Sequence, residues 1–260
     1  MNQFFILLTK ELRDAWRSFK FLWIPLVFIS LGVSEPIMNY YIEDILGAVG
    51  NLPEGFEMLF PELTPADVLV STAGQFQSIC IIILVCIFAS SISRERQNGT
   101  ATLLYVRPIS YTSLFLSKWT VAILLCALSA ATGFGASMYY TAILYGTVEP
   151  LSFIQMLLTY LLWLILVISV TLMLSALLRT SFAIALSLII IVGGQLLDSL
   201  IGGFWTLSPY KLSNYGLEFL IDTPDPDSFI PTLIITLAII AISVLLGILF
   251  SKKNAANIKI

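Results

Sequence analysis

Hydrophobic and polar positions sort into long blocks along this chain. Six apolar runs approach the ~20 residues that a membrane-crossing helix needs. They cover about 21–40 (beginning FLWIPLVFISLG), 73–93 (around ICIIILVCIFASSI), 119–145 (beginning WTVAILLCALSAA), 153–177, 181–201 and 230–250. Only Arg179 divides the fourth run from the fifth. Residues 1–20 read differently. Phe4, Phe5, Leu8, Leu12, Trp16 and Phe19 recur at helical spacing, with Lys10, Arg13, Asp14 and Arg17 mostly between them. That pattern predicts an amphipathic helix lying in the membrane interface. The fold class is therefore an all-α integral membrane protein: an interfacial elbow helix at 1–20, a transmembrane domain of about six helices over 21–250, and a tail at 251–260. Glu35 and Pro36 predict irregular outer turns in the first span. Gly133 and Gly135 predict a close helix contact or a bend in the third, and Tyr139, Tyr140 and Tyr145 mark its interfacial end.

Composition agrees with this reading. The chain of 260 residues is 58% hydrophobic and 11% charged, against about 25% charged in soluble domains. The formal charge of -3 and the lack of a basic domain give no footprint for nucleic acid. The distribution of charge says more than its sum. With a cytoplasmic N-terminus, every Lys and Arg except Lys211 falls on the cytoplasmic side, as the positive-inside rule requires. Both termini are then cytoplasmic, and the segments 41–72, 146–152 and 202–229 face outward. Most carboxylates lie on or near that outer side. The 41–72 segment reads as a long acidic loop with Pro53, Pro61 and Pro65. The 202–229 segment, with Trp205, Tyr210 and Tyr215, is expected to dip toward the membrane. The charged residues following Leu8 make an uncleaved entry into the cell membrane the expectation.

The chain offers little chemistry of its own. It contains no His, which excludes Ser-His-Asp and H-E-x-x-H arrangements. Cys80, Cys86 and Cys126 form no C-x-x-C pair and read as small buried hydrophobes rather than metal ligands. Asp198 is the one carboxylate near the fifth span, too isolated for a protease pair. The G-x-x-x-x-G-K-[ST] loop is absent, and no line of midplane charges offers ion coupling. Active movement of a cargo would need energy from a partner. Residues 94–118 form the longest cytoplasmic connection. Its helix-stopping Gly99, its apolar Leu103, Leu104 and Leu114, and Pro108, which can begin a helix, make it a candidate docking surface for that partner.

In this segment Glu95, Arg96, Gly99, Thr100, Leu103, Leu104, Pro108 and Lys118 follow a pattern that resembles the loop after the second helix of ABC-2 type transporter permeases. Tyr111 stands where many members carry a basic residue. The N-terminal KELRDAWRS is similar to that family's elbow helix, and Ser208-Pro209 to another recurrent feature. The resemblance covers essentially the whole chain. It implies a bacterial exporter subunit that pairs with a second permease chain, the same or related, and with two separate ABC ATPase subunits. ATP and Mg would be handled by those partners, with no cofactor or metal in this chain, and Glu95, Arg96, Gly99, Thr100, Leu103, Leu104, Pro108, Leu114 and Lys118 would couple to them. Cargo would leave the cell, its identity unspecified; membrane lipid is the remaining partner. A sensor or regulatory subunit working with the same kind of ATPase is the alternative. An intramembrane enzyme is a distant third.

Overall fold

The computed structural model describes residues 3–42, 44–45, 63–98, 110–205 and 207–256. Helix α1 (Gln3–Arg17) is the amphipathic element. Its buried stripe is narrow: Leu7 and Ala15 are covered, while Phe5 and Trp16 remain exposed. The chain breaks at Phe19, whose φ of 56° is left-handed. A bulky L-residue adopts that conformation at a cost of about 1–2 kcal/mol. The break frees α2 (Lys20–Tyr40) from the axis of α1. Contrary to the irregular ending expected there, α2 stays helical through Pro36. That proline is buried, and Tyr145 Oη donates to its carbonyl, so packing outweighs the missing amide bond.

Helix α3 (Pro65–Gln97) begins well before the apolar run. Residues 65–72, expected in the acidic loop, belong to this helix. The reason is local. Thr64 and Asp67 form a reciprocal capping box, with Pro65 in the first turn. Helix α4 (Tyr111–Leu144) likewise starts earlier than expected, and α5 (Pro150–Leu177) and α6 (Thr180–Ile201) follow. A single turn of wide π-type winding interrupts α3 at Phe76–Cys80 and α6 at Ile189–Gly193. After α6, a 3₁₀ turn (Pro209–Lys211) leads into the short α7 (Leu212–Glu218). Helix α8 (Pro226–Ala256) runs into the segment expected as a tail. Among the described residues there are no strands, and α2, α3, α4, α5, α6 and α8 are each long and apolar enough to cross a membrane.

Helix α5 is the hub. It packs against α3, α4, α6, α7 and α8. Within its most apolar window 67% of residues are buried, against 17% in α6 and 22% in α8. A helix apolar on every side belongs in such a central position. The core is an aromatic chain that crosses four helices. Ring centroids of Phe28 and Phe76 lie 5.0 Å apart, Phe76 and Phe134 4.8 Å, and Phe134 and Tyr160 5.0 Å. Gly32 of α2 and Gly133 of α4 let those helices touch backbone to backbone: a Cβ on Gly32 would lie 2.3 Å from the Gly133 oxygen. Polar bridges fasten other pairs. The Thr72 and Ser137 hydroxyls are 2.8 Å apart between α3 and α4, and Trp119 Nε1 donates to Ser169 Oγ at 2.9 Å between α4 and α5. Helix α7 buries Leu212, Ser213 and Gly216 and packs against α5.

Candidate functional site

Consecutive residues on a helix point about 100° apart, and at the end of α3 this sends Glu95 and Arg96 to different neighbours. Glu95 turns toward α1 and α4. Its Oε1 accepts from Lys118 Nζ at 2.8 Å and lies 3.6 Å from Lys10 Nζ. Lys118 also reaches Glu11 Oε1 at 2.9 Å, and Lys10 reaches the same atom at 3.0 Å and Asp14 at 3.7 Å. Lys118 is the centre of this network. Its side chain is only 3% exposed, and it lies within a long apolar helix. Burying an ammonium is costly unless carboxylates surround it; here α1 and α3 each supply one.

The titration of the α1 groups reflects this packing. Burial alone would raise the Glu11 carboxyl, but the adjacent Lys118 and Lys10 charges prevail and hold it below its ordinary value. Burial would lower the Lys10 ammonium; the combined pull of Glu11, Glu95 and Asp14 raises it instead.

Arg96 turns the other way, onto the end of α5. Its guanidinium donates to the carbonyl of Ala176 at 2.6 Å and to those of Ser175 and Leu178. The last carbonyls of a helix lack intrahelical partners and carry partial negative charge, so a cation there satisfies both. Ser175 Oγ in turn accepts from the backbone amides of Ile92 and Ser93, each at 3.1 Å. The Ser93 and Thr180 hydroxyls are 2.9 Å apart, which ties α3 to the first turn of α6. Where α4 begins, the Ser110 amide donates to Gln3 Oε1 at 3.1 Å. The last turn of α3 and the first of α4 flank residues 99–109, and both are fastened to α1.

Of the candidate coupling residues, Glu95 and Lys118 therefore join one ion-pair network with α1, while Arg96 is fastened separately to the end of α5. Leu114 differs from its expectation. It is 6% exposed and packed inside the chain's own fold, so it offers no free apolar surface for docking. Gly99, Thr100, Leu103, Leu104 and Pro108 lie outside the described residues. Sequence reasoning missed Glu11, Lys10, Ser175 and Thr180 as partners. Glu11 carried a readable signal, since it lies one helical turn from both Leu7 and Ala15 on the buried stripe.

Two cavities open at the opposite end of the bundle. One, of about 430 Å³, lies between the start of α3, the α4–α5 turn and the segment after α7. The other, of about 180 Å³, is lined by Gln77, Gln195, Asp198, Tyr210 and Asn214 among others. Among the described residues, no group of three or more His, Cys, Asp or Glu is placed to hold a metal ion.

A family model described as "ABC-2 family transporter protein" matches residues 5–215. The chain is also similar to the uncharacterized transmembrane protein YxlG of Bacillus subtilis (strain 168). The two are 30% identical over 185 residues, which cover 71% of this chain and 72% of that protein.

Proposed function

Because the chain belongs to the ABC-2 family of transporter proteins, we propose that it is the permease subunit of an ATP-driven exporter, worked by a separate ATPase that docks on the segment 94–118. The observation that carries this reading is the divergence of Glu95 and Arg96. One residue grips α1 and α4 through Lys118; the next grips the α5–α6 junction. A push delivered to residues 99–109 reaches α3 and α4 directly, and these contacts spread it to α1, α5 and α6. In this reading these polar contacts form a transmission, and residues 99–109 are its input.

The energy comes from outside the chain. The sequence has no phosphate-cradling G-x-x-x-x-G-K-[ST] loop, so ATP and Mg are handled by the ATPase. Two permease chains and two ATPase subunits form the proposed complex, with both termini of each permease on the ATPase side in the cell membrane.

The test replaces the input and the transmission separately. Leu104→Ser is expected to reduce co-purification of the ATPase. Glu95→Gln is expected to leave the ATPase bound while uncoupling hydrolysis from cargo flux. Flux at the native rate in both variants would sink the assignment. Normal ATPase stimulation by a cargo candidate, with no flux even in the native complex, would favour a sensor.

A further inference from the structure

Asp198 is an odd residue to find where it is. It lies in α6, a helix apolar enough to cross the membrane, and is 7% exposed. Its Oδ1 is sealed from solvent and receives no hydrogen bond among the described residues. The helix gives it no help, because Asp198 occupies the last turns of α6, where the dipole disfavours an anion. The nearest lysine along the chain, Lys211, directs its Nζ to the Gly202 carbonyl at 2.5 Å instead. None of the ion pairs among the described residues involves Asp198. A buried carboxylate inside a membrane domain marks a functional site by default.

The carboxylate lines the cavity of about 180 Å³ with Gln77, Gln195, Ser199, Tyr210 and Asn214. Both wide turns adjoin this place. The turn in α3 spans Phe76–Cys80 and so includes Gln77. In the turn of α6 the Ile190 carbonyl, which also accepts from the Gly194 amide, accepts from Tyr210 Oη at 2.7 Å. Gly194 then admits the Tyr210 ring, which a Cβ there would meet at 2.2 Å. The tyrosine hydroxyl is thus occupied as a strut. The amides of Gln77 and Gln195 are only loosely joined, at 3.5 Å, the limit of a hydrogen bond. What remains facing the cavity is one carboxylate surrounded by neutral amide and hydroxyl oxygens.

We propose that this cavity binds the primary ammonium group of an amphiphile. A single carboxylate matches one positive charge, and neutral oxygens can accept the remaining N–H bonds. No second carboxylate lines the cavity to favour a divalent ion. The volume is below the ~300 Å³ at which drug-sized sites begin, so it admits a head group and not a whole cargo. The hydrocarbon has a place to go: Ile201, one turn from Asp198 on the same side of α6, is exposed. The ammonium could belong to an aminophospholipid or to a free cationic amphiphile.

The inference goes beyond the exporter reading and is measured on the permease alone, so it stands or falls separately. The purified chain is placed in nanodiscs of phosphatidylcholine and phosphatidylglycerol and titrated calorimetrically with octylammonium. Empty nanodiscs supply the partition background. Saturable binding is expected, at least about tenfold weaker in Asp198→Asn, the scale of one lost hydrogen bond to a charged group. Asn214→Leu, on the exposed side of the cavity, is also expected to weaken it, and checks the site should Asp198→Asn fail to fold. Octanol should show only partition. Adding phosphatidylethanolamine to the bilayer identifies the source: competition points to the lipid head group, and undiminished binding points to a free amphiphile, each upholding an ammonium site. Equal affinity in the native chain and both variants would overturn the proposal, as would saturation of the site by potassium ions alone.

Discussion

Lys118 shows how one residue can hold together elements far apart in sequence. Its two carboxylate partners sit 107 and 23 positions away. Lys118→Met is expected to leave Glu11 buried with only Lys10 for compensation. Breaking a buried pair from one side costs about 3–5 kcal/mol; because Lys10 remains at 3.0 Å, the lower end, about 3 kcal/mol, is expected. Thermal unfolding in detergent measures it. The double variant Lys118→Met with Glu11→Gln should recover part of the loss, since the stranded charge is gone. If the double variant is less stable than the single one, the pair is not what stabilises this end. The same network sets a pH dependence. Glu11 is held below its ordinary value of 4.5, so it binds protons more weakly folded than unfolded. Its contribution is fully present above pH 4.5 and is lost as pH falls through the lower, folded value. The native chain should therefore lose thermal stability below about pH 4.5 more steeply than Glu11→Gln. Identical acid profiles for the two would refute this account.

At the scale of elements, the contact between α2 and α4 makes the sharpest contrast between positions that look alike in sequence. A Cβ on Gly32 would meet the Gly133 carbonyl oxygen at 2.3 Å, and one on Gly133 would meet Phe28 Cβ at 2.8 Å; Gly135 has nothing within 4 Å. Gly32→Ala should force the helices apart at a cost of about 1–3 kcal/mol, the usual range for overpacking. Gly135→Ala should be neutral, or stabilising by up to about 1 kcal/mol from helix propensity. Equal unfolding midpoints for the two variants would refute the close contact. The pattern of apolar runs carried the helices and predicted a close contact or a bend at Gly133 and Gly135, yet could not say which glycine touched what, because every side of a membrane helix is apolar. The same uniformity hid the position of α5 at the centre. Helix starts were missed for another reason. Thr64-Pro65-Ala66-Asp67 is a legible capping box, but its proline and acid also fit a loop, and hydropathy begins only later. Of the candidate site, Glu95, Arg96 and Lys118 were found through the family pattern. Their partners were not, because Glu11 and Ser175 meet them only after the bundle closes.

For the whole molecule, the distribution of charge bears on which way the bundle faces. The described structure gathers its basic residues, Lys211 excepted, at one end. Lys10, Arg13, Arg17, Arg94, Arg96, Arg179, Lys252 and Lys253 lie in α1, the end of α3, the α5–α6 turn and the end of α8. Asp222, Asp225 and Asp227 lie at the other end, around the start of α8. Arginine and lysine near span ends set orientation more than carboxylates do, so the basic end should be cytoplasmic. The geometry strengthens the argument. Arg96 and Lys118 are held by the fold and could keep their partners in either orientation, whereas Arg13, Arg17, Lys252 and Lys253 are exposed. These free charges are the ones that resist translocation. Asn98 and Asp225 are exposed at opposite ends, which makes them suitable reporters. In a background with Cys80, Cys86 and Cys126 replaced by Ala, Asp225→Cys should react with an impermeant maleimide on intact cells. Asn98→Cys should react only after the membrane is opened. Labelling of Asn98→Cys alone in intact cells would invert the molecule, put the ammonium cavity on the cytoplasmic side and remove residues 99–109 from reach of any cytoplasmic ATPase.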